Sequence, residues 1–210
     1  MPTPQIVELQ SKESPAPRSL RVAWASYISN MREDFTVLRE ARAKYMGDQI
    51  ASSAYPLELG KRVGLQTMAA IRTMHLFRDS GLGLVAQVTS RLIRHAYGAE
   101  IHWQSRWAPG VIVVHGNGLV VGSGAQIEKG CALHQNVTLG DAYDPATGTN
   151  RGPRLERNVH VGPGCAVIGA VTVGADSKLM AGSVLDRSIE PRSLVRPAPV
   201  VISRRTRSES

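Results

Sequence analysis

The sequence is poor in cysteine, in aromatic side chains and in long apolar runs. Only two of its 210 residues are cysteines, and neither has the spacing of a metal-ligand motif, so we expect no metal. Three Trp, five Tyr and two Phe are scattered along the chain, which disfavours a stacking platform for nucleic-acid bases. Because there is no membrane-length apolar run and no secretory signal core, the sequence predicts a cytoplasmic protein.

The formal net charge is +8 at pH 7, and a solvated surface is the simplest explanation for it. Part of the excess is local, because six arginines and only two glutamates lie in residues 187–210. This cluster suits the phosphates of a nucleotide-bearing ligand. No nucleic-acid-binding module accompanies it, so nucleic acid is not predicted as a partner.

Apolar residues recur at every sixth position over residues 119–185. The members of this ladder are Val121, Ile127, Leu133 and Leu139 and, after an irregular insert, Leu155, Val161, Val167, Val173, Leu179 and Leu185. A period of six matches neither a strand nor a helical turn, so it indicates a repeat architecture. Short strands, three to a coil of about eighteen residues, would stack into a triangular prism. Cys131 and Cys165 fall on the inward register, where cysteine behaves as a small apolar residue.

Composition divides the chain into four parts. We predict a mobile leader at 1–19, a helical module at 20–98, a β-helix domain at 99–189 with a loop insert at 141–153, and a C-terminal cap with a basic tail at 190–210. We expect the ladder to fade after Leu185, where prolines become frequent. The insert breaks the six-residue period, and loops of this kind commonly carry function.

The helical module contains three helical patterns. Apolar spacing predicts short amphipathic helices from about Arg21, a helix over 63–77 and a helix over 84–97. Gly98 is placed to cap the last of these. Its apolar side is predicted to consist of Leu84, Val85, Val88, Leu92 and Ile93.

Five ordered motifs resemble those of the serine acetyltransferases, a family of hexapeptide-repeat acyltransferases. They cover residues 97–102 (YGAEIH), 114–122 (VHGNGLVVG), 135–140 (QNVTLG), 151–153 (RGP) and 181–184 (AGSV). The resemblance runs from about residue 90 to residue 202. It implies an α+β fold, in which a helical module precedes a left-handed parallel β-helix, although parallel crossovers are otherwise nearly always right-handed.

His115 is the candidate general base. Counting back six residues from Val121 reaches position 115, where a histidine stands in place of the expected apolar corner residue. A polar residue that breaks a local rule is a candidate functional residue, and a buried core histidine is the alternative. The resemblance implies the general-base role. Glu100 lies fifteen residues earlier, so we expect it near His115 on the neighbouring coil, where it would fix the imidazole tautomer.

Three further residues are candidates for binding the acceptor. Arg151 matches an arginine that holds the amino-acid acceptor in the family, and a guanidinium fork suits a carboxylate. His102 would share a strand face with Glu100, and a surface position is the alternative. His134 is close enough in the motif order to line the same pocket, although a surface position is again the simpler reading.

The sequence departs from the family pattern on the acceptor and cofactor sides. Gly152 replaces a histidine that lines the acceptor site, and Asp141 replaces a glycine close to the ligand. Pro163 removes a backbone donor that would face the thioester arm. These departures leave the acceptor open.

Acetyl-CoA is the cosubstrate that the resemblance implies. Candidates for its pantetheine arm are the backbone groups of Gly140, Gly162, Ala181 and Gly182. Lys178 and Arg196 are candidates for its phosphates, although a solvated charge is the simpler explanation for either residue alone.

The resemblance predicts an acetyl-CoA-dependent O-acetyltransferase. Its simplest acceptor is L-serine, giving O-acetylserine for cysteine biosynthesis, and the implied assembly is a homo-oligomer, a trimer or a dimer of trimers. A sugar, polysaccharide or specialised-metabolite hydroxyl is an alternative acceptor. A non-catalytic β-helix scaffold is the alternative from another functional class, and a histidine at a corner position argues against it.

Overall fold

The computed structural model describes residues 18–145 and 147–198. Most of the predicted leader and the end of the predicted basic tail lie outside these ranges. The N-terminal part is helical and contains α1 (Leu20–Met46), a 3₁₀ turn (Ser52–Ala54), α2 (Tyr55–Lys61), α3 (Val63–Asp79) and α4 (Gly83–Tyr97). None of the helices in the described ranges combines the length and apolar content that crossing a bilayer requires.

α1 is one continuous helix of 27 residues, so the prediction of several short helices is wrong. No glycine or proline interrupts its sequence, and it ends at Gly47, which adopts a left-handed conformation with φ 71°. The other two helix predictions are confirmed. α4 ends at Gly98, whose φ is 62° and whose N–H donates to the carbonyl of Arg94.

Beyond Gly98 the chain forms short strands that pass in turn through three parallel sheets. Sheet A contains β1 (Glu100–Ile101), β4 (Val120–Val121), β7 (Thr138–Gly140), β12 (Ala166–Ile168) and β15 (Val184–Leu185). Sheet B contains β2 (Arg106–Trp107), β5 (Gln126–Ile127), β10 (Arg154–Leu155) and β13 (Thr172–Val173). Sheet C contains β3 (Ile112–Val113), β6 (Ala132–Leu133), β11 (His160–Val161), β14 (Lys178–Leu179) and β16 (Leu194–Val195).

The six-residue ladder forms the core of the stacked strands, as predicted. All ten of its members are buried, and the alternate strand residues face outward. Cys131 and Cys165 are buried free thiols, and burial raises the pKa of Cys131 to about 12, which confirms their role as apolar filling. The ladder ends after Leu185 as predicted, since position 191 is an exposed proline, but the stack continues with β16, which pairs with β14 in sheet C.

The phase of the ladder shifts by two residues before Val121. Val113 is the buried inward residue of β3 and lies eight positions before Val121, whereas His115 is exposed. The expectation that position 115 is a corner of the core is therefore wrong. The turn between β3 and β4 contains two additional residues, and these bring the imidazole out of the core.

The apolar side of α4 does not pack against the rest of the described chain as its spacing suggested. Leu84 is 75% exposed and Leu92 is 61% exposed, and Val85 and Val88 are exposed beside them. Ala86 and Ile93 provide the buried contacts of this helix. α4 thus presents an apolar stripe to the surface, defined by Leu84, Val85, Val88 and Leu92.

The helical part packs on the strands through α3. An ideal Cβ at Gly64 would lie 2.0 Å from the carbonyl oxygen of Val113, so only glycine allows α3 to approach β3 so closely. Farther along α3, the buried guanidinium of Arg72 donates to both carboxylate oxygens of Asp34 on α1, at 2.8 and 2.9 Å. It also donates to the carbonyls of Trp107 and Ala108. One side chain therefore joins two helices to the first coil.

Candidate active site

His115 lies exposed in the turn that leads from sheet C to sheet A. The N–H of Gly118 donates to the carbonyl of Gly98 at 2.9 Å, so this turn stacks directly on the residues that enter β1. On the inner side Gly116 faces α3, where an ideal Cβ would lie 2.9 Å from Oγ1 of Thr67. The turn is thus supported by both the helical part and the neighbouring coil, and it presents an accessible imidazole.

Glu100 is on the same edge of the molecule as His115, since β1 begins two residues after Gly98. Its side chain is 57% exposed, and its carboxylate lies 3.4 Å from Nη1 of Arg94. Among the described residues no hydrogen bond joins Glu100 to His115. The two predicted catalytic residues therefore share an edge, and the carboxylate is engaged in a surface ion pair of small energetic worth.

His102 follows β1 and is half-buried. Its Nδ1 accepts the N–H of Gln104 at 3.2 Å, so the neutral ring carries its proton on Nε2. Burial lowers the pKa of His102, and the negative charge of Asp141 acts in the opposite direction. His102 thus belongs to the sheet A side of the site, beside Asp141.

The predicted loop insert contains an antiparallel hairpin. β8 (Ala142–Asp144) pairs with β9 (Thr149–Arg151) in a separate two-stranded sheet. Arg151 is the last residue of β9, and its Nη1 donates to Oδ2 of Asp144 at 2.9 Å. The guanidinium is 27% exposed and keeps further donors beyond this ion pair.

Asp141 holds the base of this hairpin. Its Oδ2 accepts the N–H of Ser123 at 2.9 Å and the hydroxyl of the same residue at 2.6 Å. Its Oδ1 accepts the N–H of Gly124 at 3.1 Å. Sequence reasoning identified Asp141 as a departure and missed these contacts. The glycines at positions 122, 124 and 152 were the sequence feature that could have indicated these contacts.

His134 lies beside His160, the first residue of β11. Their ring centroids are 4.7 Å apart, and Nδ1 of His134 donates to the carbonyl of Val161 at 3.0 Å. Burial lowers the pKa of both rings, that of His160 to about 4, and the positive charge of Lys178 adds to the effect. His134 is also close enough to His115 for their charges to interact. In the described ranges no three His, Cys, Asp or Glu side chains are grouped to hold a metal ion.

The predicted cofactor residues lie along sheets A and C. Lys178 is exposed on β14 in register with His160, and Arg196 is exposed just after β16. The N–H groups of Gly162 and Gly182 donate to the carbonyls of Leu179 and Pro163, so these two amides are used inside the stack. Ala181 is exposed beside Gly182, and Gly140 ends β7 on sheet A.

The structure therefore gathers the predicted residues into two groups. One follows the sheet C side and contains His115, His134, Lys178 and Arg196. The other follows the sheet A side and contains Glu100, His102, Gly140 and Arg151. Of the second group, Glu100 alone lies at the corner between sheets C and A with His115. His102, Gly140 and Arg151 follow strands of sheet A and lie toward sheet B.

The fold and the six-residue ladder define a hexapeptide-repeat protein with a helical N-terminal part. A serine acetyltransferase of Synechococcus elongatus is 34% identical over 129 residues, which make up 60% of this chain and 51% of that protein. The serine acetyltransferase of Buchnera aphidicola subsp. Schizaphis graminum is 28% identical over 185 residues, 88% of this chain and 70% of that protein. The chain thus spans about half the length of the first of these relatives. No protein-family profile matches the chain.

Solved structures agree in fold. Serine acetyltransferase from Brucella abortus in complex with coenzyme A gives a TM-score of 0.72 at 24% identity, covering 86% of this chain and 68% of that one. The Neisseria gonorrhoeae serine acetyltransferase in complex with serine gives 0.70 at 22% identity, covering 83% and 68%. The resemblance of this chain to the serine acetyltransferases is confirmed in sequence and in fold.

Proposed function

We propose that the protein is an acetyl-CoA-dependent O-acetyltransferase and that its simplest acceptor is the hydroxyl of L-serine, giving O-acetylserine. The observation that carries the proposal is the exposed His115, held between α3 and the Gly98 turn on the edge that also bears Glu100. In the same proposal the stacked strands of residues 99–189 are a left-handed parallel β-helix, preceded by a helical module at 20–98. The named relatives support both parts.

In the proposed reaction His115 is the general base. Its imidazole takes the hydroxyl proton as the acceptor oxygen attacks the thioester carbonyl. The new C–O bond forms, the C–S bond breaks, and the proton passes to the departing thiolate. Backbone N–H groups stabilise the oxyanion, and no covalent acyl-enzyme is needed.

Glu100 is proposed to orient His115 and to stabilise the imidazolium. The Arg94 pair that its carboxylate makes at 3.4 Å is exposed, so exchanging it for a bond to the imidazole costs little. On the acceptor side, Arg151 is proposed to bind a carboxylate through the donors that Asp144 leaves free. His102 and His134 are proposed to line the same pocket.

Acetyl-CoA is proposed to lie along the stacked coils. Lys178 and Arg196 provide positive charge for its phosphates on the sheet C side, and backbone groups of Gly140, Gly162, Ala181 and Gly182 are proposed to face its pantetheine arm. The similar fold of the Brucella abortus enzyme, solved with coenzyme A, supports acetyl-CoA as the cosubstrate. Acetyl-CoA acts here as an acyl-donor cosubstrate, and no metal is required by the mechanism.

The proposed assembly is a homo-oligomer, a trimer or a dimer of trimers, in the cytoplasm. The exposed apolar stripe of α4 supports self-association, because a surface of this kind is favourable to cover. Cysteine biosynthesis is the pathway that the proposed product serves.

A sugar or other non-amino-acid hydroxyl is the second candidate acceptor. The observation that favours it is the ion pair between Arg151 and Asp144, which already neutralises the charge proposed to bind an acceptor carboxylate. Arg151→Ala separates the two candidates. A rise in acceptor KM supports an amino acid, whereas unchanged kinetics support a sugar.

The test of the proposed function is thiol release from acetyl-CoA by the purified protein. Serine, homoserine, related amino acids and simple sugars are offered in turn. We expect His115→Ala to lower kcat by at least about a hundredfold, the usual contribution of a general base.

His95→Ala is the matched control, since His95 is an exposed histidine on α4. It should retain the activity of the unaltered protein. If no acceptor gives thiol release that depends on His115, the enzyme proposal fails and the scaffold alternative takes its place.

A further inference from the structure

The hairpin β8–β9 is an isolated element that needs an anchor. Its two strands pair with each other and with none of the sheets A, B and C. Tyr143 and most residues of β9 are exposed, and an isolated two-stranded hairpin is marginally stable in water. The position of Arg151, at the end of β9, therefore depends on what holds the base of the hairpin.

Asp141 occupies that base, immediately before β8. Its carboxylate accepts hydrogen bonds from three donors in the turn of the neighbouring coil: the N–H and hydroxyl of Ser123, and the N–H of Gly124, which both oxygens share. Hydrogen bonds to a charged acceptor are stronger than neutral ones. A single side chain thus fastens the first strand of the hairpin to the stacked coils.

Three glycines make room for this carboxylate. An ideal Cβ at Gly152, the residue after β9, would lie 2.4 Å from Oδ1 of Asp141, and one at Gly122 would lie 2.6 Å from the same atom. A Cβ at Gly124 would lie 2.4 Å from the backbone nitrogen of Gly152. Both this carboxylate and the backbone at 124–125 exclude a side chain at position 152, so the base of the hairpin packs closely against that turn.

We propose that Asp141 is a positioning residue that fixes the hairpin, and with it Arg151, for binding the acceptor. Both carboxylate oxygens are occupied by the turn at 123–124, so Asp141 acts through Arg151 and does not itself bind the acceptor. The acceptor half of this inference rests on the proposed function.

The experiment compares hydrogen exchange and kinetics in Asp141→Ala and Asp141→Asn. In Asp141→Ala the amides of residues 142–144 and 149–151 exchange at least about tenfold faster, because the hairpin loses its anchor. The acceptor KM rises at least about tenfold, and the KM for acetyl-CoA stays within about twofold. Asp141→Asn keeps one acceptor oxygen and gives intermediate values.

Glu156→Ala is the matched control. Oε2 of Glu156 also accepts a backbone N–H of the next coil, that of Ala175 at 2.9 Å, and it lies outside the hairpin. This variant leaves hairpin exchange and acceptor KM unchanged. A similar loosening of the hairpin in Glu156→Ala would mean that any weakened coil contact has this effect, and it would overturn the proposal.

Two further results would overturn it. One is hairpin exchange in Asp141→Ala that equals that of the unaltered protein, and the other is faster exchange with an unchanged acceptor KM. If the unaltered protein releases no thiol with any acceptor, the proposed function fails and the acceptor half of the inference fails with it. Hydrogen exchange then still decides whether Asp141 anchors the hairpin.

Discussion

The stacked coils and the contact between helices and strands are stabilised by different chemistry. In the coils a ladder of apolar side chains is buried, with each coil contributing similar residues. At the contact, apolar residues of α3 such as Ile71 and Met74 continue the same core, and buried polar groups are added to them: the charged pair of Asp34 with Arg72 and the imidazole of His75. The contact thus depends on a few buried charged and polar groups that the apolar ladder of the coils does not have.

Of the substitutions that test this comparison, Arg72→Ala should cause the largest loss of unfolding free energy. It leaves the buried carboxylate of Asp34 with the N–H of Gly110 and without its guanidinium partner, and it frees the carbonyls of Trp107 and Ala108. Loss of one partner of a buried pair costs about 3–5 kcal/mol of unfolding free energy. Urea unfolding measures this loss. Arg187→Ala is the control, because that side chain is 84% exposed and its removal should leave the midpoint unchanged.

Gly64→Ala should have the next largest effect. The added methyl meets the carbonyl oxygen of Val113, a backbone atom that moves only with β3, so we expect a loss of about 1–3 kcal/mol. The matched change in the ladder is Ile127→Val, which removes one methylene from a buried position at about 0.5–1.5 kcal/mol. Equal midpoints for Gly64→Ala and the unaltered protein would show that α3 is not tightly held against β3.

The pH dependence of stability is the smallest of the three effects. Burial lowers the pKa of His75 well below 6.5, and the charges of Arg78 and Arg72 lower it further. Because the unfolded chain then binds a proton that the folded chain does not, stability falls as the pH drops below 6.5, by up to about 1.4 kcal/mol per pH unit. The fall continues until the pH reaches the folded-state pKa.

Urea unfolding at several pH values from 7 to 5 measures this slope. His75→Phe should reduce the slope of unfolding free energy against pH by as much as the contribution of one proton, about 1.4 kcal/mol per pH unit. His160→Asn serves as the comparison on the coils, because the pKa of His160 is also lowered, to about 4. An unchanged slope in His75→Phe would show that His75 does not become charged on unfolding in this range.

The coils were the more predictable of the two regions. A residue such as Leu139 or Val167 repeats the local rule, so its burial follows from the period alone. Gly98 was equally clear, because a glycine after the last apolar residue of a helical pattern is a common helix end. The roles of the predicted site residues stay predictions, and the structure divides these residues between the two ends of the sheet A strands.

The contact with the helices was not predictable from periodicity. The pairing of Arg72 with Asp34 spans 38 positions, and nothing in either neighbourhood indicates it. The shift between Val113 and Val121 was hidden for a related reason, since His115 fell by coincidence on the extrapolated period. The hairpin within 141–153 was missed because it lacks the alternation of a half-buried strand, both of its faces being largely exposed.

The two-residue shift at His115 has a consequence for how such a chain can vary. Val121 lies eight positions after Val113, and Leu155 lies sixteen positions after Leu139, where the regular period is six. In both places the turn or hairpin contains the extra residues, and the next strand begins again with its apolar residue buried. The surface that bears the candidate site can therefore gain or lose residues while the interior stays the same.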